Sequence, residues 1–301
     1  MKILMNVRYL TDRILIKTVY AALLLAIAAG ISNNALATKL VGTDINSGKL
    51  LYIVTPNTVV TIASTGVKPD GVILGPNQEI IYALAGVGEI HIFNPYIQTD
   101  TLLAKGLTTP VNIVLEPRCK SILVSDVGVN KIFRIMLANK AVSTFYNGPD
   151  KMQGLVYDTS GNLFVNDVSL NAIVQLDGTG TIINRTPISV PLTTLDGITY
   201  DHFTRAIFAT SSTGQVLYRA TTDLSTVSTI SFPGKPILDG IISDGQGTLY
   251  VVGSDGTTSM LYKFVIVSST QTPQNTIPGL DDIAIIPSGP CIRGGTAGAC
   301  E

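Results

Sequence analysis

The chain has 301 residues, of which 46% are hydrophobic and only 14% are charged, and its formal net charge at pH 7 is −1. This composition supplies enough apolar material for a large buried core and excludes a disordered, highly charged protein. No basic run follows the N-terminal segment, so nucleic acid is not an expected partner.

The first 37 residues resemble a secretory signal peptide. An apolar run at 19–31 is followed by small residues up to Ala37, and it is preceded by four basic residues: Lys2, Arg8, Arg13 and Lys17. The run is shorter than the ~20 residues that span a bilayer. We therefore expect cleavage after Ala37, a secreted or periplasmic protein, and no stable membrane span after cleavage. The alternative is an uncleaved anchor that begins near Ile14, which Lys17 would interrupt.

The clearest strand pattern lies at 153–176. Three short apolar runs, Leu155–Tyr157, Leu163–Val165 and Ile173–Leu176, are each bounded by Gly, Asn, Asp or Ser. Runs of this length and composition predict strands joined by tight turns. Because the strands are apolar nearly throughout, both faces of this meander need covering by neighbours.

Copies of this unit recur along the chain at intervals of 41 to 43 residues, aligned on Gly71, Asn112, Gly154, Gly197, Gly240 and Asp282. A period near 42 residues with four strands per copy is typical of β-propeller blades. The sixth copy ends after one strand, at Pro287. Its missing strands are predicted near the N-terminus, at 40–44, 48–53 and 58–62.

We therefore predict an all-β, six-bladed β-propeller over residues 38–289, with four-stranded antiparallel blades. The ring is closed by N-terminal strands that complete the C-terminal blade. The alternative, an irregular β-sandwich, would have to explain five near-equal intervals and a complementary split copy. Residues 290–301 form a Cys- and Gly-rich tail, in which Cys291 and Cys300 could form a disulfide while Cys119 stands alone.

Two families resemble this sequence. The segment 154–167, followed by Asn171–Ile173, resembles the NHL repeat, and 124–132 resembles its second half. The segments 195–201 and 238–241 look like those of the six-bladed family of senescence marker protein 30 and the gluconolactonases. The resemblance implies a propeller fold, and in the gluconolactonase-like proteins it implies divalent-metal ligands at the Asp-Gly position.

The residue before each inner strand would lie at the mouth of the central channel. In chain order these residues are Asp70, Val111, Gln153, Asp196, Asp239 and Asp281. Four carboxylates would converge there, and oxygen ligands suit Ca²⁺ or another divalent cation. By resemblance, Asp196 and Asp239 are the first candidate metal ligands, followed by Asp70, Gln153 and Asp281. The alternative is that each Asp only caps the turn that leads into its strand.

Several features of metal-dependent and histidine-dependent propeller enzymes have no counterpart here. The Glu-Gly-Pro segment that supplies a Glu ligand in gluconolactonases is missing from the sequence. His91 is predicted within a third strand and His202 in a hairpin turn, away from the channel, and no catalytic residue can be named.

We therefore expect an exported binding module whose channel face binds a small molecule, a cation or a protein partner. The alternative is a Ca²⁺-dependent lactonase or esterase-like hydrolase of the gluconolactonase type. In that mechanism the ring carboxylates hold the metal and one unligated Asp activates water.

Overall fold

The computed structural model describes residues 37–188, 194–213, 216–232, 237–255 and 257–287. Chain contacts divide the protein into two compact units with their boundary between Ala37 and Thr38, and every described strand belongs to the second unit. The described elements are all strands, so none of them is a helix that could cross a membrane. The predicted signal peptide and the tail at 290–301 fall outside the described residues, apart from Ala37.

Within the described residues, 24 strands form six four-stranded antiparallel sheets, each of which is one blade. Blade 1 consists of β4 (Val72–Leu74), β5 (Ile80–Leu84), β6 (Glu89–Asn94) and β7 (Thr99–Lys105). Blade 2 consists of β8 (Pro110–Leu115), β9 (Ser121–Asp126), β10 (Lys131–Met136) and β11 (Val142–Asn147). Blade 3 consists of β12 (Met152–Tyr157), β13 (Leu163–Asp167), β14 (Ala172–Leu176) and β15 (Ile182–Pro187).

The remaining three blades follow the same order. Blade 4 consists of β16 (Leu195–Asp201), β17 (Ala206–Ser211), β18 (Val216–Thr221) and β19 (Val227–Ser231). Blade 5 consists of β20 (Ile237–Ser243), β21 (Thr248–Ser254), β22 (Ser259–Val265) and β23 (Thr270–Thr276). Blade 6 joins the two ends of the propeller: β24 (Leu280–Ile286), β1 (Lys39–Asp44), β2 (Lys49–Val54) and β3 (Thr58–Ser64).

The structure confirms the predicted six-bladed propeller and the way its ring closes. β24 pairs antiparallel with β1, for example with Val41 opposite Ala284. The first strands of the blades also contact one another in a closed cycle, from β4 through β8, β12, β16, β20 and β24 back to β4. These six inner strands surround the central channel.

Apolar side chains fill the spaces between neighbouring blades. The second strands of four blades each place a buried aromatic ring there, namely Tyr82, Phe164, Phe208 and Tyr250. One cluster joins Phe164 and Ile173 of blade 3 to Ile207 and Tyr218 of blade 4. Because each inner strand lies between two such layers, both of its faces are covered by neighbouring blades.

Cys119 corrects one expectation about the cysteines. It lies in the turn between β8 and β9 and forms a disulfide, so it does not stand alone. Nothing in its sequence position indicated this, because disulfide pairing depends on spatial proximity. Cys291 and Cys300 lie outside the described residues.

Candidate ligand site at the channel entrance

Most of the predicted channel residues lie in β-bulges. The sequence placed them before the inner strands, but the structure places Gln153, Asp196, Asp239 and Asp281 within β12, β16, β20 and β24. In each case the pairing register with the second strand shifts across this residue and the one after it. A bulge frees a residue from the ladder and re-aims its side chain, which explains how these side chains reach the channel.

The inner strands all begin on the same face of the propeller. Because the strands of each blade are antiparallel, the turns between second and third strands lie on that face too, including 45–48, 85–88, 127–130 and 168–171. We call it the entry face. It carries Asp70, which precedes β4 as the sequence predicted, and the four bulge residues that line the channel entrance.

Four of these side chains form a continuous hydrogen-bonded chain. The amide Nε2 of Gln153 donates to Oδ1 of Asp196 over 2.5 Å. Asp196 is hydrogen-bonded to Asp239, and Asp239 to Asp281. A bond between two carboxyl groups needs a proton on one of them. The chain of contacts therefore holds protons, and Asp239, which contacts a carboxylate on either side, is the group best placed to carry one.

The pKa values of the carboxyl groups reflect this crowding. Burial, followed by the charge of Asp281, raises the pKa of Asp196 to about 7. Burial, followed by the charge of Asp281, holds the pKa of Asp70 well above its usual range. Burial, followed by the charge of Asp196, does the same to the pKa of Asp239. Burial raises the pKa of Asp281 as well. The side chains of these four Asp residues are partly exposed to solvent because they line the channel.

The glycines that follow the channel residues allow the inner strands to approach closely. A Cβ atom on Gly154 would lie 2.5 Å from the carbonyl oxygen of Asp196 in the next blade, and one on Gly197 would lie 2.7 Å from that of Asp239. These distances are far below a normal carbon–oxygen contact. The Asp-Gly pairs thus combine a carboxylate for the channel with the space that the neighbouring strand needs.

Two blades have a longer residue instead of this glycine, and each uses it to bind the next inner strand. Oδ1 of Asn112 accepts a hydrogen bond from the backbone N–H of Leu155 over 3.0 Å. Oδ2 of Asp282 accepts one from Val72 over 3.0 Å, and its Oδ1 accepts one from Ile283 over 2.9 Å. Asp282 therefore joins blade 6 to blade 1 at the closure of the ring, a role that its sequence position did not reveal.

Replacing Asp282 with Ala is expected to destabilise the protein by roughly 1–3 kcal/mol, because two backbone N–H groups lose their acceptor. Asp282→Asn is the matched control, since its amide oxygen can still accept from Val72. Urea unfolding at pH 7 would measure both variants. Equal stability of Asp282→Ala and the wild type would contradict the assigned role.

Polar residues on the second strands hold the bulges in place. The amide of Asn166 donates to the carbonyl oxygens of Asp196 and Gly197 over 2.7 and 3.1 Å. Thr210 donates to the carbonyl oxygens of Gly197 and Asp239 over 3.3 and 2.5 Å. Sequence reasoning missed these supports, whose only signal is a polar residue within an otherwise apolar strand.

The candidate ligands at the channel entrance for a divalent cation are all oxygen atoms. Carboxylate and amide oxygens suit Ca²⁺ chemically. Within the described ranges, however, no group of three or more His, Cys, Asp or Glu side chains is arranged to hold a metal ion. Metal binding by Asp196, Asp239, Asp70, Asp281 and Gln153 therefore stays a prediction.

Both histidines lie away from the channel entrance, as predicted. His91 lies in β6, where its two ring nitrogens contact Glu89 over 3.0 Å and Asp100 over 2.9 Å. His202 is exposed in the turn between β16 and β17, on the face opposite the entry face. These are the chain's two histidines, so the entrance has no imidazole.

Comparison with known proteins identifies the fold alone. No family model matches the sequence, and no curated protein is significantly similar to it. A structure from a nidogen/laminin complex is similar, with a TM-score of 0.70 and 15% identity over 82% of this chain and 98% of that one. A catalytically inactive virginiamycin B lyase from Staphylococcus aureus, determined with quinupristin, has a TM-score of 0.59 and 15% identity over 75% and 80%. A protein of unknown function from Bacteroides caccae has a TM-score of 0.65 and 10% identity over 83% and 99%.

These similarities confirm the six-bladed propeller fold. Identities of this size carry no activity over to the chain. The more specific assignment to the NHL or gluconolactonase families stays a prediction.

Proposed function

We propose that the protein is an exported binding module whose channel entrance binds a ligand through a positively charged group. The observation that carries this proposal is the convergence of Asp70, Asp196, Asp239 and Asp281, with Gln153, around one axis. Four carboxyl groups so close together repel one another when ionised. A ligand cation would relieve that repulsion.

Protons occupy the position of the cation when no ligand is bound. The hydrogen bonds of Asp239 with Asp196 and with Asp281 depend on them, and each needs its own proton because a protonated carboxyl group has one O–H to donate. A metal ion or an ammonium group would replace these protons, so binding should release protons and become tighter as the pH rises.

Export and the nature of the partner are supported separately. The N-terminal segment has the pattern of a signal peptide, and Cys119 is in a disulfide, a bond that persists mainly in oxidising compartments. One similar propeller comes from a complex of two proteins. This supports a protein partner, beside a small molecule or a metal ion, as a source of the charged group.

A thermal-melt titration would test the proposal. At pH 8, CaCl₂, MnCl₂ or n-propylamine is expected to raise the melting temperature, by about 5 °C or more at a hundredfold excess over Kd. EDTA should reverse the metal effects. At pH 5 the shifts should shrink, since protons compete for the site.

Asp196→Asn/Asp239→Asn provides the matched variant, because it keeps the size and hydrogen-bonding capacity of the side chains but removes two charges. Its melting temperature should no longer respond to these cations. If none of the three cations moves the wild-type melting temperature at pH 8, the proposed function is wrong.

One observation favours a hydrolase as the second candidate. A pKa near neutrality suits a general base, and Asp196 has a pKa of about 7. In such an enzyme Asp196 would take a proton from water that attacks a lactone or ester carbonyl. Turnover of simple lactones, abolished in Asp196→Asn but not in Asp177→Asn, would favour this candidate. If no lactone is turned over, the hydrolase candidate fails and the binding proposal stands.

A further inference from the structure

A cavity opens on the entry face where blades 6 and 1 meet. Its volume is about 360 Å³. Its walls come from the turn after β1, the segment before β4 and the turn after β5, represented by Ile45, Val67 and Val87. We call it the blade 6/1 cavity.

The lining of the blade 6/1 cavity is mainly apolar, with charge contributed by Lys68 and Asp70. Lys68 is exposed, so water screens its charge. Asp70 belongs to the acidic group at the channel entrance, because the charges of Asp281, Asp282 and Asp196 all act on its carboxyl group. The cavity therefore joins an apolar wall to the edge of a site with strong negative charge.

We propose that the blade 6/1 cavity holds the apolar part of a small organic amine whose ammonium group lies against Asp70 and the neighbouring carboxyl groups. The proposal rests on the proposed function and specifies its ligand. The volume falls near the lower end of the roughly 300–1,000 Å³ that is usual for small-molecule sites. A bare metal ion would leave the apolar walls uncovered, whereas an arylalkyl amine would cover them and supply the charge.

Gly86 offers a way to block the cavity without touching the carboxyl groups. It lies in the cavity lining, and a Cβ atom added to it would meet no other atom within 4 Å. Gly86→Leu should therefore fold normally and occupy part of the space. Gly178, in the turn between β14 and β15 on the opposite face, has equally open surroundings, so Gly178→Leu is the matched control.

Isothermal titration calorimetry at pH 8 would compare three probes: 3-phenylpropylamine, the neutral 3-phenylpropan-1-ol, and n-propylamine. We expect 3-phenylpropylamine to bind at least tenfold more tightly than either of the other two. Gly86→Leu should weaken the binding of 3-phenylpropylamine at least tenfold and leave the affinity for n-propylamine unchanged. Gly178→Leu should leave the affinities for both amines unchanged, and Asp70→Asn should weaken the binding of both amines.

The failures of the two proposals can be told apart. If n-propylamine or Ca²⁺ binds but the phenyl group adds no affinity, or if Gly86→Leu leaves 3-phenylpropylamine unchanged, the cavity assignment is overturned while the proposed function stands. If the alcohol binds as tightly as the amine, the charged anchor at Asp70 is overturned. If none of the amines, Ca²⁺ and Mn²⁺ binds, both proposals fall.

Discussion

Raising the pH from 5 to 8 is expected to lower the melting temperature of the ligand-free protein by about 5 °C. For a protein of this size, that shift corresponds to a loss of roughly 2 kcal/mol in the free energy of unfolding. Asp239→Asn is expected to remove much of that loss. Burial raises the pKa of Asp196 and of Asp282 to about 7 in the folded state, above the ordinary value of 3.8. The pKa of Asp239 is raised well above that value, first by burial and then by Asp196.

The direction of this effect follows from proton binding. Between about pH 4 and pH 7 the folded protein binds more protons at these groups than the unfolded chain does. The free energy of unfolding therefore falls as the pH rises through this interval. The stabilisation is fully present at low pH and is lost when the folded carboxyl groups ionise.

The Asn side chain at position 239 imitates the protonated acid. Its amide has two N–H groups, which can donate to Asp196 and Asp281 at every pH. Both carboxylates therefore keep a hydrogen-bond donor when the solution becomes alkaline. Asp177→Asn serves as the control. Hydrogen bonds from Thr179 and Thr181 lower the pKa of Asp177 below 3.8, so it is ionised throughout the interval and should not alter the slope. A melting temperature independent of pH in the wild type would contradict the assigned proton sharing.

Gly154→Ala is expected to destabilise the protein by about 3 kcal/mol, within the usual range for overpacking, and to lower the melting temperature by roughly 6–12 °C. The new methyl group would lie 2.5 Å from the carbonyl oxygen of Asp196 and 2.9 Å from Cγ2 of Ile198. The first of these atoms belongs to the backbone of a neighbouring inner strand. Relief of the clash would therefore require blades 3 and 4 to separate at the channel.

Urea unfolding of Gly154→Ala beside Gly178→Ala would test this explanation. Both changes remove a glycine, but a Cβ atom at position 178 meets nothing within 4 Å, so Gly178→Ala should stay within about 0.5 kcal/mol of the wild type. The Gly154→Ala protein should also bind cations more weakly, because the bulge that positions Gln153 is displaced. Similar stabilities for the two variants would rule out close strand approach as the reason for the glycine.

The fold could be predicted from the sequence because its repeats are local patterns. Each blade is a meander of consecutive strands, and its turns carry residues that tolerate tight backbone geometry, such as Asn171 with a φ of 48°. Even the split blade was visible, since the strand after Asp282 lacks partners that the segment 39–64 supplies. Strand ends were less accurate: β12 and β16 begin before the residues expected, because the bulges continue the ladder past the glycines.

The candidate site could be predicted only as a set of residues. The spacing of Asp196, Asp239 and Asp281 was enough to place them at one channel entrance, because a propeller brings equivalent positions of its blades together. The spacing could not tell whether the side chains meet or cap separate turns. Nor could it separate Asp281, which bonds to Asp239, from Asp282, which bonds to the backbone of blade 1.

The number of blades, the strand order within each blade and the closure of the ring could all be derived from the amino-acid sequence. These depend on strand-length apolar runs and on a repeat interval, both of which are properties of neighbouring residues along the chain. Three features became visible only in the folded protein: the carboxyl groups share protons, Asp282 joins blade 6 to blade 1, and an apolar cavity lies beside Asp70. Each of these depends on distances of a few ångströms between residues from different blades, and such distances arise only when the bulges and the close strand contacts have formed.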